Sequence, residues 1–146
     1  MITPFNDEYF MKKALEEAQK AFDADEIPVG AVIVAKDQII ARAHNYTEKL
    51  NDVTAHAEMQ AITSAADYLG GKYLKGCTMY VTLEPCVMCG GALYWSQIDK
   101  VVFAASDIKR GASTVGDLYH PKTKVVGGIL ENEGKELMQK FFQKKR

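Results

Sequence analysis

His56-Ala57-Glu58 and Pro85-Cys86-Val87-Met88-Cys89 between them offer one imidazole, two thiolates and a further carboxylate. A chain that uses these groups together must fold so that the two segments meet, and that requirement constrains the architecture more than any stretch of periodicity. A structural zinc closes its coordination with four protein ligands, whereas a catalytic zinc keeps one position open for water. His56, Cys86 and Cys89 make three ligands, and Glu58 is left over as a base.

The spacing supports this. Cys86 and Cys89, three residues apart, share a face if they lie on a helix, and Pro85 reads as standing just inside that helix's start. The positive end of a helix favours thiolate over thiol, and thiolate is the form that binds metal. His56 and Glu58, two apart, diverge along a helix and can converge on one metal only near its first turn. Plainer readings fit less well. A capping box ending in Glu58 needs Ser or Thr three residues earlier, and position 55 is Ala. A redox C-x-x-C pair leaves His56 and Glu58 unexplained. A four-Cys zinc ribbon needs a second C-x-x-C, and Cys77, at the head of an apolar strand, is the only other thiol; it reads as core packing.

The 146 residues suit one domain, able to bury roughly 70% of the unfolded chain's surface. An apolar share of 47% with 25% charged residues is that of a globular protein, and no apolar run approaches the ~18 residues of a membrane span. The start, Met1-Ile2-Thr3-Pro4-Phe5-Asn6-Asp7-Glu8, is acidic and lacks the basic and apolar regions of a signal peptide. With cysteines best kept reduced, the expectation is a cytoplasmic chain.

Asn6 or Asp7 can cap a first helix on which Phe10, Met11, Ala14, Leu15, Ala18 and Phe22 recur at helical spacing. Val29 to Ala35, a Lys36-Asp37-Gln38 turn and Ile39 to Asn45 predict a β-hairpin. A second helix is predicted from near Thr54 to the Gly70-Gly71 stop, then a strand over Thr78 to Leu83 and a third helix from Pro85 to about Trp95. Lys100 to Ser106 reads as a fourth strand and Val125 to Leu130 as a fifth. The last helix carries Leu130, Gly134, Leu137 and Phe141 on one stripe. A hairpin followed by alternating helices and strands implies a mixed sheet with helices on its faces. Ligands in such sheets bind beyond the strands' C-terminal ends, where Asn45, Glu84 to Cys89 and Asp107 all fall.

Net charge is −1, which alone gives no support to nucleic-acid binding. Lys109-Arg110, Lys122 with Lys124, and Lys144-Lys145-Arg146 form a phosphate-contacting face only if folding brings them together; otherwise they are solvated lysines and a helix C-terminus.

H-x-E followed by P-C-x-x-C is the signature of zinc-dependent nucleobase deaminases. Ile27-Pro28-Val29-Gly30-Ala31-Val32, Asn45, Thr54-Ala55-His56-Ala57-Glu58, Tyr80-Val81-Thr82-Leu83-Glu84-Pro85-Cys86 and Gly111-Ala112 extend the likeness over most of the chain. With them the sequence resembles the bacterial tRNA-specific adenosine deaminases. The resemblance implies an α/β, three-layer cytidine-deaminase-like fold, a mixed five-stranded sheet with helices on both faces. It implies one Zn²⁺ per chain on His56, Cys86 and Cys89, with Glu58 as the catalytic proton shuttle. Asn45 would hydrogen-bond the purine, the backbone around Val29 and the Ala57 N–H would meet the polar edge of the base, and Asp107 would lie near the nucleotide. Spacing alone makes Asn45 a strand-ending residue that tolerates a turn and Asp107 equally the cap of the turn after it. The implied partners are a tRNA anticodon stem-loop, with Lys109, Arg110, Lys144, Lys145 and Arg146 on its phosphates, and a second copy of the chain; no membrane is implied.

The sequence departs from this family over Ser113 to Asp117, with Asp117 where Asn is common, and Tyr94-Trp95 also resembles the guanine deaminases of the same superfamily. The alternatives are therefore a deaminase of a free base or nucleoside, guanine or cytosine, and a non-enzymatic zinc-stabilised interaction module. Tyr94-Trp95 suits either a dimer interface or burial in the core.

Overall fold

The computed structural model describes residues 4–146; Met1 to Thr3, the beginning of the acidic N-terminal stretch, lie outside the described residues. Helix α1 (Asp7–Asp23) starts where Asn6 Oδ1 accepts the Tyr9 N–H at 2.9 Å, a side-chain cap for a donor with no partner inside the helix. Strands β1 (Gly30–Ala35) and β2 (Gln38–His44) follow as a hairpin. Its two loop residues, Lys36 and Asp37, have φ of 50° and 61°, the paired positive values that match the strands' right-handed twist. Then come α2 (Ala57–Leu69), β3 (Cys77–Leu83), α3 (Val87–Ser96), β4 (Lys100–Ala105), a 3-10 turn (Ala112–Thr114), β5 (Lys124–Val126) and α4 (Glu131–Lys144).

The strands form one mixed sheet in the order β2-β1-β3-β4-β5. β1 is antiparallel to both neighbours, while β3, β4 and β5 run parallel. Alternate strand residues therefore serve opposite faces. Ala31, Ile33, Met79, Val81 and Val101 pack with Ala57, Ala61, Ala65 and Leu93 of α2 and α3; Val32, Val34, Tyr80, Val102 and Ala104 pack with Phe10, Met11 and Ala14 of α1. α4 joins the α1 side at Gly134, where a Cβ would stand 2.8 Å from Thr82 O. These are the three layers and the mixed five-stranded sheet expected. Among the described residues no helix is long and apolar enough to cross a membrane.

Several strand ends shift by one residue from the sequence reading, and three further boundaries differ for a local reason. α2 begins at Ala57 rather than near Thr54, because Asp52 Oδ1 accepts both the Thr54 N–H and its hydroxyl, at 2.8 and 2.7 Å, so that residue closes a turn instead of capping a helix. Pro85 precedes α3 rather than opening it; Cys86 is the N-cap residue. Leu130 caps α4 from outside with φ of 58°, leaving β5 only three residues long.

The topology collects the loops after β2, β3 and β4 and the segment before β1 on one edge of the sheet, since β1 runs opposite to β3. α1 is drawn tightly onto that edge. At Gly30 a Cβ would lie 2.2 Å from Ala14 O and 2.3 Å from Ala18 N, so only glycine admits this approach.

Candidate active site

His56 and Cys86 are the N-cap residues of α2 and α3, and the two helices aim their N-termini at a common point. His56 Nδ1 stands 3.6 Å from Cys86 Sγ and 3.5 Å from Cys89 Sγ, and all three donor atoms lie within 4.8 Å of one another. A tetrahedral zinc with Zn–S of about 2.3 Å and Zn–N of about 2.1 Å sets nitrogen and sulfur roughly 3.6 Å apart, so the donor set fits that ion in type and in spacing. The His56 side chain makes no cap bond to its helix and is directed to the shared cluster, while Cys86 stays within the first turn of α3 by bonding Cys89.

The protonation pattern fits a site made for a cation. Cys86 is drawn down to about 4, first by the hydrogen bond from the Cys89 thiol and then by His56. Cys89, buried, is pushed far up by the same bond and by desolvation. His56 is raised, first by its bond to Cys86. One proton is thus held between two sulfurs, and a metal that takes both as thiolates displaces it.

Glu58 lies in the first turn of α2, 4% exposed. Desolvation, the largest cause, raises its carboxyl to about 7, and the Cys86 charge pushes the same way. This carboxyl is outside the ligand set yet beside it, the position the sequence reading required of a base.

Above the cluster opens a cavity of about 650 Å³, within the range of small-molecule sites. Val29, Asn45, Ala57 and Asp107 line it with His56, Glu58 and Cys86. The Val29 carbonyl accepts the Asn45 N–H at 3.1 Å, tying the strand entering the site to the one leaving it. Ala57, fully buried, is the first residue of α2, whose opening N–H groups have no partner within the helix. Asp107 borders the cavity and also caps the turn after it, its Oδ1 accepting the Lys109 and Arg110 N–H groups at 3.1 and 3.0 Å.

The basic residues divide. Lys109 and Arg110 are on the cavity rim. Lys144 and Lys145 instead pair with Asp25 at 3.6 and 2.6 Å, and neither they nor Arg146 line the site; Lys145 borders an adjoining cleft. Lys135, which sequence reasoning passed over, is on the rim with the exposed Ile27 and Phe142.

Two buried carboxylates were also missed as site residues. Glu84, 5% exposed, accepts from Asp107 N (3.0 Å), Ser113 N (3.1 Å) and Ser113 Oγ (2.6 Å), which clamps the loop after β4 against the cysteine segment. Gly111 is required there, since a Cβ would lie 2.4 Å from Glu84 Cδ, and Ala112 N donates to Pro85 O at 2.8 Å. The signal in the sequence was a Glu between an apolar strand and a proline. Glu26, 1% exposed, had no such mark.

Residues 4–105 match the family model of the cytidine and deoxycytidylate deaminase zinc-binding region. This chain belongs to that deaminase family. It is 50% identical to the tRNA-specific adenosine deaminase of Aquifex aeolicus over 95% of both chains. With that of Bacillus subtilis it shares 46% over 96% of this chain and 91% of the other. A solved structure from work on A-to-I editing by tRNA deaminases at the wobble position superposes with a TM-score of 0.82 at 41% identity, covering 88% of this chain and 98% of that one. The guanine deaminase of Bacillus subtilis matches at 41% identity with a TM-score of 0.68, over 77% and 71% of the two chains. The family's zinc-binding region contains His56 and both cysteines of the cluster.

Proposed function

We propose that residues 1–146 form a single zinc-dependent nucleobase deaminase domain that converts adenosine to inosine at the wobble position of a tRNA. The observation that carries the reaction class is the buried Glu58 beside three metal donors on the wall of the cavity. The adenosine and tRNA assignment is supported by relatives of that name at 40–50% identity across nearly the whole chain, and by Lys109, Arg110 and Lys135 around the cavity mouth, where a polyanion would pass.

His56, Cys86 and Cys89 hold the zinc, which when bound supplies a Lewis acid that lowers the pKa of water toward ~7. The proton traffic belongs to Glu58. Its carboxylate takes a proton from the attacking water, gives it to N1 of the ring as the C6–O bond forms, and hands the second water proton to the amino group as the C6–N bond breaks. Adenosine and water go in; inosine and ammonia come out. Burial suits the group to both halves of this cycle, because desolvation raises its carboxyl above the usual carboxylate range and so toward the pH at which a proton is accepted and released with least cost. Asn45 and the backbone at Val29 and Ala57 orient the extruded base.

A homodimer and a cytoplasmic location complete the reading. On α3 the exposed Val87, Tyr94 and Trp95, the last 76% exposed, form an apolar surface continued by His120, 5.7 Å from Tyr94. A tryptophan left this open is the kind of residue that anchors an interface. A second substrate reading, guanine, is supported by the guanine deaminase similarity. The deciding assay measures ammonia release from an anticodon stem-loop, guanine and cytosine side by side. Inosine in the stem-loop supports the proposal; rapid turnover of guanine without it would transfer the same zinc chemistry to a free base.

A further inference from the structure

Glu26 lies in the segment between α1 and β1, beneath the cavity wall, and is 1% exposed. A buried carboxylate needs partners, and among the described residues the partners of this one all come from the short stretch 45–49. Its Oε1 accepts from Asn45 Nδ2 at 3.3 Å and from the Glu48 N–H at 3.0 Å, and its Oε2 from the Lys49 N–H at 2.8 Å. The glutamate itself is held by its own N–H on Ala21 O at 2.9 Å, at the end of the helix that Gly30 allows to sit directly on the sheet.

We propose that Glu26 is a positioning residue for the deamination, setting the sense of the Asn45 side-chain amide and holding the 46–49 backbone so that Asn45 meets the base in one orientation. A carboxylate accepting at both oxygens has no donor to offer, so the amide must turn its NH₂ toward Glu26, and Thr47 Oγ1 takes the remaining contact at 3.3 Å. Oδ1 is left with no hydrogen bond among the described residues, in a side chain on the cavity wall. An asparagine free to flip would present donor or acceptor interchangeably; one that is pinned discriminates.

This inference rests on the deaminase reading above, and a double-mutant cycle tests it. Zinc content, melting temperature, kcat and KM for inosine formation in an anticodon stem-loop would be measured for the wild type, Glu26→Gln, Asn45→Ala and the double variant. Gln retains the shape but adds a donor among donors, so Glu26→Gln is expected to keep its zinc and lose about 10-fold or more in kcat/KM. In the Asn45→Ala background the same change is expected to alter kcat/KM by less than about 2-fold, because the group it acts through is gone. Glu26→Asp, with both acceptor oxygens, is expected to recover part of the loss, and it replaces Gln in the cycle if that variant is too unstable. Effects that multiply would overturn the positioning role while leaving the enzyme's function intact; a wild type that forms no inosine would overturn the functional reading and this inference with it.

Discussion

His56 Nδ1 faces Cys86 Sγ at 3.6 Å across the gap between two helix N-termini, and each residue stands at the N-cap position of its helix. The metal site is therefore also the joint between α2 and α3. Cys86→Ala is expected to reduce zinc from one per chain to a small fraction and to lower the melting temperature, as chelation of the wild type should. Metal analysis beside thermal melts checks both; a variant that retains full zinc excludes Cys86 as a ligand.

Glu58→Gln preserves size and burial but cannot exchange a proton. Full zinc content and an unchanged melting temperature are expected, with turnover reduced by 10²-fold or more. A rate above about a tenth of wild type would remove Glu58 from the proton path.

The division among the basic residues bears on substrate binding. Lys109, Arg110 and Lys135 stand on the rim, so Lys135→Ala should lessen the slope of log affinity for a stem-loop against log salt by about 0.7–0.9. Removing 144–146, whose lysines pair with Asp25, should change it less. Filter binding over a salt series gives both slopes, and equal slopes for all variants would place the phosphates elsewhere.

Gly30→Ala would drive a methyl group to 2.2 Å from Ala14 O and 2.3 Å from Ala18 N. Backbone cannot yield as a flexible side chain does, so a loss of about 1–3 kcal/mol is expected, read as a lower denaturant midpoint. Because α1 carries Glu26 into place, activity should fall further than the unfolded fraction explains.

Trp95→Glu addresses the exposed α3 face. Light scattering at micromolar concentration should give twice the 16.2 kDa chain mass for the wild type and the single chain mass for the variant. A wild type at 16.2 kDa rejects the dimer.

The secondary structure and the metal chemistry were legible in the sequence for physical reasons that act locally. Phe10, Met11, Ala14 and Ala18 recur at the helical period, and all are buried; Gly70, at φ of 72°, ends α2 as a left-handed cap. His56, Cys86 and Cys89 were identifiable because soft donors in that spacing have few other uses. What needed tertiary structure were the groups whose meaning depends on distant neighbours. Glu26 reads in the sequence as one more acid in a polar turn, and only the hairpin's return past α1 places Asn45, Glu48 and Lys49 on its two oxygens. Lys135 and Lys144 are both lysines of one helix, yet one faces the cavity rim and the other an aspartate beyond α1. The periodic elements and the chemistry of the donors are local properties and can be read along the chain; which charges are buried and what they hold depends on burial and long-range pairing, which are properties of the packed sheet and not of any segment within it.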